Sequence, residues 1–216
     1  MSRKYSTLVA FLGTFLIFSC SSPDPSIPIG KARQVPTGAE LTIEGTVTVA
    51  SGLFASSIPY GFAIQDATGG IYVIDSLQGY EGRYKEGQKV RVKGKTQVQN
   101  GIVMLNNEAT EAIGPGETIT AKSIGIKGLA ATQGQIVNTY GSIVKYFDDG
   151  DYGYKIYIAD GPDTIDIYVN KSTGLLKDSL LWKAADSVNV TGFSSQYDGA
   201  YEVDLRSEQD LKLYNK

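Results

Sequence analysis

From residue 41 to residue 205 apolar and polar residues alternate in short runs, broken by glycine-bearing turns. Alternation with a period of two is the pattern of half-buried strands. The runs are Leu41–Ala50, Phe62–Ala67, Ile71–Asp75, Lys89–Val98 and Ile102–Ala109, then Gln135–Phe147, Lys155–Asp160, Thr164–Asn170, Ser187–Gln196 and Ala200–Leu205. Asn100-Gly101 and Asp198-Gly199 suit tight hairpin turns, because both pairs tolerate positive φ. The second set repeats the first in order. Ile43-Glu44-Gly45-Thr46-Val47 matches Thr139-Tyr140-Gly141-Ser142-Ile143, and Val90-Arg91-Val92-Lys93-Gly94 matches Val188-Asn189-Val190-Thr191-Gly192. A single repetition is too little for a solenoid, so each copy reads as a small domain.

Between the third and fourth strands of the second set, Leu176, Leu180 and Ala184 recur at helical spacing. The matching stretch of the first set, Gln78–Gln88, is shorter and rich in glycine. Five strands with a helix between the third and fourth is the order of the OB-fold, a small Greek-key barrel. The segments FAIQDATGGIYV, KEGQKVRVKG and QNGIVML resemble the OB-fold domains of many bacterial envelope proteins, including lipoproteins of unknown function and accessory domains beside secreted nucleases. The expected fold is therefore all-β with one short helix: two tandem OB-like five-stranded Greek-key barrels. They are expected at 34–114 and 134–216, with a Gly/Pro-bearing linker at 115–133. Fold analogy does not name a ligand.

OB-folds bind on the outer face of strands 2 and 3. In the second repeat Ile156, Ile158, Ile165, Ile167 and Val169 take the inward phase, which turns Lys155, Tyr157, Asp166 and Tyr168 outward. Tyr157 and Tyr168 are the candidate stacking surface for a sugar or base ring, with Lys155 beside them. Tyr72 is the first-repeat counterpart of Tyr168. Strand tyrosines also arise from β-propensity and cross-strand packing alone. Lys89, Arg91 and Lys93 share one strand face, either as a phosphate-tracking stripe or as a solvated face. The Asp148-Asp149-Gly150-Asp151 loop offers oxygen ligands for calcium but lacks EF-hand spacing, and reads better as a hairpin turn.

Composition narrows the chemistry. The 216 residues include no histidine and one cysteine. That excludes a His-dependent triad, a His-ligated metal site, an intrachain disulfide and a Cys-cluster metal site. No motif singles out a catalytic pair, so no enzyme, cofactor or metal is expected. Both repeats carry more acidic than basic residues. Nucleic-acid-binding domains are usually basic, which disfavours nucleic acid as partner. The expected function is a non-catalytic module that binds an oligosaccharide, a peptide or another envelope protein. Single-stranded oligonucleotide binding and a purely structural spacer are the alternatives.

The first nineteen residues read as a secretory signal peptide: Arg3 and Lys4, then an uncharged apolar run from Leu8 to Phe18. The sole cysteine, Cys20, ends that run after Ser19, which resembles the lipobox of bacterial lipoproteins. The resemblance implies cleavage before Cys20 and acylation of it, with residues 20–33 as tether. Several acyl chains on one residue anchor a protein stably. Ser21 after the cysteine points by analogy to the outer membrane of the cell envelope. Cys20→Ala should therefore leave an unprocessed precursor that incorporates no labelled fatty acid. Equal labelling of the variant would refute the assignment.

Overall fold

The computed structural model describes residues 25–75, 82–175 and 187–214. Residues 1–19, Cys20 and the helical stripe from Leu176 to Ala184 lie outside the described residues.

The first repeat forms β1 (Glu40–Val49), β2 (Gly61–Asp66), β3 (Gly69–Ile74), β4 (Gln88–Gln99) and β5 (Ile102–Pro115). These close into a barrel in the order β1-β2-β3-β5-β4. Neighbours run antiparallel except β3 and β5, which are parallel. After β6 (Lys122–Ser123), the second repeat forms β7 (Ile136–Asp148), β8 (Gly153–Asp160), β9 (Asp163–Asn170), β10 (Ser187–Tyr197) and β11 (Ala200–Asp204). Their order is β7-β8-β9-β11-β10, closed by pairing of β10 with β7. The parallel pair recurs, as β9 with β11. Both repeats thus have the OB strand order.

The strand alternation fills each barrel. Ile43, Val47, Phe62, Ile64, Ile71, Val73, Val90 and Val92 occupy the first core. Val137, Ile156, Ile158, Ile165, Ile167, Val169, Val188 and Val190 occupy the second. At about 25 cal/mol per Å² of apolar surface, burial of such side chains is the main stabilising term.

The repeat unit begins earlier than the strands. Ile27 makes a parallel bridge to Ile43, and a single helical turn, α1 (Ile29–Ala32), follows with Ile29 and Ala32 in the first core. In the second copy β6 pairs in parallel with β7, and a 3-10 turn, Ile126–Ala131, sends Ile126 and Leu129 into the second core. Stretches expected to be tether and linker thus contain the first layer of each barrel. The reason is local: Ile27-x-Ile29 and Ile124-x-Ile126 each put apolar side chains against a barrel end. The Asp66–Gly69 turn receives α1. Asp66 accepts from Ile29 N at 2.9 Å, and Thr68 Oγ1 accepts from Gly30 N at 2.9 Å.

A third apolar cluster joins the barrels. Val49, Phe54, Ala63, Tyr72, Ile74, Ile102 and Met104 of the first meet Ile136 and Phe193 of the second. The Phe193 ring lies 6.0 Å from Phe54 and 6.2 Å from Tyr72, centroid to centroid. Gly70 and Gly134 face each other there, and a Cβ on either would strike the other's carbonyl. Polar staples surround the seam. Gln65 accepts from Ile136 N at 2.8 Å, Asn170 donates to the Phe54 carbonyl at 2.8 Å, and Arg206 donates to the Thr48 carbonyl at 3.0 Å. Phe193→Ala should lower unfolding free energy by about 3–5 kcal/mol, the usual cost of emptying a buried aromatic site. Urea denaturation measures it, and a loss below about 1 kcal/mol would mean that the seam is not a core.

Candidate functional site

The outer face of β8, β9 and β11 looks toward the first barrel. Register sets its side chains in rows: Lys155 beside Tyr168, Tyr157 beside Asp166, and Asp166 and Tyr168 beside Glu202 and Asp204. The predicted phase holds, since Ile156, Ile158, Ile165, Ile167 and Val169 are all buried in the second core. Burial of the outer face itself is the departure. Tyr168 is only 4% exposed, and Glu202 and Asp204 are buried as well.

Tyr72 requires correction. It points out of its barrel as expected, but it is 0% exposed because the second barrel covers it. Its hydroxyl donates to the Pro59 carbonyl at 3.0 Å, and burial pushes its pKa up. It is therefore a seam residue and offers no ring to a ligand. All six residues of β3 are buried, alternately by its own core and by the seam.

The basic stripe is largely neutralised by neighbours on β1. Lys89 and Arg91 lie 3.5 and 2.6 Å from Glu44, and Lys93 lies 2.9 Å from Glu40. The Arg91 guanidinium holds the Glu44 carboxyl below its usual range. In the Asp148–Asp151 loop every carboxylate also has a protein partner. Asp148 accepts from Gly150 N, Asp149 from the Tyr168 hydroxyl, and Asp151 from Lys171. Among the described residues no group of three carboxylates is arranged to hold a metal ion.

What the fold brings together is a cleft of about 500 Å³ where the two barrels meet beside the seam. The second barrel contributes Phe147, Tyr152, Tyr157, Tyr168 and Tyr197, with Asp149, Lys155 and Glu202 among them. The first contributes Ile58, Ile102 and Met104, with the amides of Gln99 and Asn100, and Gln196 of β10 adds a third amide. Of the predicted site residues, Lys155, Tyr157 and Tyr168 line this cleft, and Tyr72, Lys89, Arg91 and Lys93 do not. Asn100, at φ 51°, reaches the cleft from the hairpin turn.

Charge on the cleft floor is concentrated. Lys155 Nζ lies 2.9 Å from Asp166 and 3.6 Å from Glu202. The same ammonium sits 5.6 Å from the Tyr168 ring centroid and 5.9 Å from that of Tyr197, within cation–π range. Burial opposes the Lys155 charge, but the hydrogen bond to Asp166 and the field of Glu202 hold its pKa above the usual value. Burial pushes the Glu202 carboxyl up to about 7, with Lys155 opposing and Asp166 adding to the rise. Burial, then repulsion from Glu202, pushes Asp204 well above the carboxylate range. Burial and the hydrogen bond to Asp149 raise Tyr168.

Sequence reasoning missed Glu202, Tyr197 and the whole first-barrel wall, and it read the loop that carries Asp149 as a hairpin turn. Glu202 was within reach: with Val203 inward, Glu202 and Asp204 fall on the outer face, next to Asp166 and Tyr168. The first-barrel wall depends on how the barrels dock, which no local pattern records.

Comparison with solved structures finds a likeness to the hypothetical protein ygiW from E. coli. Identity is 13%, covering 41% of this chain and 90% of that one, with a TM-score of 0.34. No family model and no curated protein matches the sequence. The fold assignment rests on the strand order of the two barrels.

The raised Glu202 pKa makes a signed prediction for stability. A carboxyl more basic in the folded chain than in the unfolded one favours folding at low pH. That contribution fades as pH rises from the ordinary Glu value towards 7. Glu202→Gln does not titrate. Its stability relative to wild type should therefore rise, on the order of 3 kcal/mol, between about pH 4.5 and pH 7.5. Chemical denaturation across that interval measures the difference, and a flat difference would rule out the buried, raised carboxyl.

Proposed function

We propose that this protein is a non-catalytic binding module of the cell envelope, held to the outer membrane by lipid on Cys20, and that its inter-barrel cleft takes an oligosaccharide. The carrying observation is the pairing of Tyr157 and Tyr197 with the amides of Gln99, Asn100 and Gln196 around one cleft, with the buried Tyr168 in its wall. Aromatic faces stack on the apolar faces of sugar rings. Planar amides donate to one hydroxyl and accept from its neighbour. A concave site with a few convergent polar groups is the usual form of a small-ligand site.

Charge disfavours a nucleic acid. The stripe on β4 is paired to Glu44 and Glu40, and the cleft carries Asp149 and Glu202. The stripe from which phosphate affinity would come is thus already paired with carboxylates. Glu202, titrating near neutrality, is the group that a hydrolase would use. Product analysis of the binding mixtures therefore belongs in the test.

Calorimetric titration of the full chain with a panel of oligosaccharides and a single-stranded oligonucleotide tests this reading. Tyr157→Ala and Tyr197→Ala should each weaken oligosaccharide binding by about 5- to 150-fold, for roughly 1–3 kcal/mol per stacked ring. Tyr197 is 50% exposed, so its loss should leave the fold intact. Unchanged affinity in both variants, binding of the oligonucleotide alone, or cleavage of the sugar would each overturn the proposal.

A further inference from the structure

The cleft holds more negative charge than its one lysine can balance. Asp166 and Glu202 flank Lys155 directly, Asp204 follows Glu202 on the same face of β11, and Asp149 accepts from Tyr168 across the floor. Lys155 pairs with two of these four carboxyl groups. Of the other lysines near this face, Lys145 lies 5.2 Å from the ring centroid of Tyr157 in the cleft wall, and Lys171 pairs with Asp151 at 2.9 Å. Excess charge in a desolvated site is costly unless it is neutralised. Protons on Glu202 and Asp204 are one way to neutralise it. A cation entering from the cleft is another.

Glu202 is placed to receive that cation. It is 7% exposed, yet it forms part of the cleft wall. Its partner is Lys155, at 3.6 Å, an ammonium that it shares with Asp166 at 2.9 Å. The rings around it complete the arrangement. The Lys155 ammonium lies 5.6 and 5.9 Å from the Tyr168 and Tyr197 ring centroids and 2.9 and 3.6 Å from two carboxylates, so this wall already favours a cation. Tyr rings with nearby carboxylates form the recognised setting for an organic ammonium. An anionic ligand would meet Asp149 and Glu202, and the cleft's own lysine, Lys155, is already paired with Asp166 and Glu202.

We infer that the cleft selects an oligosaccharide bearing a protonated amine, an amino sugar with its amino group free, over the neutral or N-acylated form. The inference rests on the oligosaccharide reading and narrows it. The rings and amides hold the sugar body. Glu202, with Asp149 on the same wall, holds the ammonium.

Three trimers titrated into the full chain at pH 7 test it: β-1,4-linked glucosamine, its N-acetylated form, and the neutral glucose trimer. The glucosamine trimer should bind at least about tenfold more tightly than either of the others. Its affinity should rise several-fold from about pH 5.5 towards neutrality as Glu202 ionises, and fall again at higher pH as the sugar amine loses its proton. The groups that face Glu202 and shape that slope are Lys155 of β8, Asp166 and Tyr168 of β9, Asp204 of β11 and Asp149 of the loop. Glu202→Gln should flatten the slope. Equal affinity for all three trimers would overturn the amine selectivity and leave the oligosaccharide reading standing. Binding of none would overturn both. A trilysine peptide that binds where no sugar does would assign the cleft to peptides and overturn both as well. The comparison among trimers uses the wild-type chain, so it does not depend on a variant that must fold.

Discussion

The close approach of two backbones, at Gly70 and Gly134, is the contact on which the rest of the arrangement depends. Neither position has room for a side chain, because each glycine lies against the other's carbonyl. With the chains that near, Phe193 reaches Tyr72 and Phe54, Asn170 reaches the loop that carries Phe54, and Gln65 reaches the backbone of β7. Surfaces that would be the exteriors of two barrels become one interior. The cleft is what remains open beside it.

The two facing surfaces share a plan and differ in chemistry. Tyr72 on β3 pairs with Met104 on β5, and Tyr168 on β9 pairs with Asp204 on β11. Two residues earlier in the partner strands, Ile102 stands in the first barrel where Glu202 stands in the second. The first surface buries apolar groups at a gain. The second buries carboxyls and a lysine, which stay compatible with folding only because they bond one another or keep their protons.

This division explains how far the sequence could be read. Alternation reports which side chains enter a strand's own barrel, and it placed Ile156, Ile158, Ile167 and Val169 correctly. It cannot report what covers the opposite side, so Tyr72 read as exposed when it is fully buried. The strand order was legible because two copies of one pattern reinforce each other. The short apolar pairs Ile27-x-Ile29 and Ile124-x-Ile126 precede the alternating runs, and so α1 and β6 were absorbed into tether and linker. The basic stripe was legible as a stripe. Its neutralisation depended on the register that sets Glu44 and Glu40 across from it on β1.

The mismatch between the two facing surfaces also has a symmetry consequence. Two identical chains meeting around a two-fold axis must present the same patch to each other. An apolar wall could then face only an apolar wall, and a charged wall only a charged one. Joining both barrels in a single chain removes that restriction. One copy can specialise as anchor and the other as reader, and the cleft between them takes a polarity that no symmetric pair of these barrels could produce.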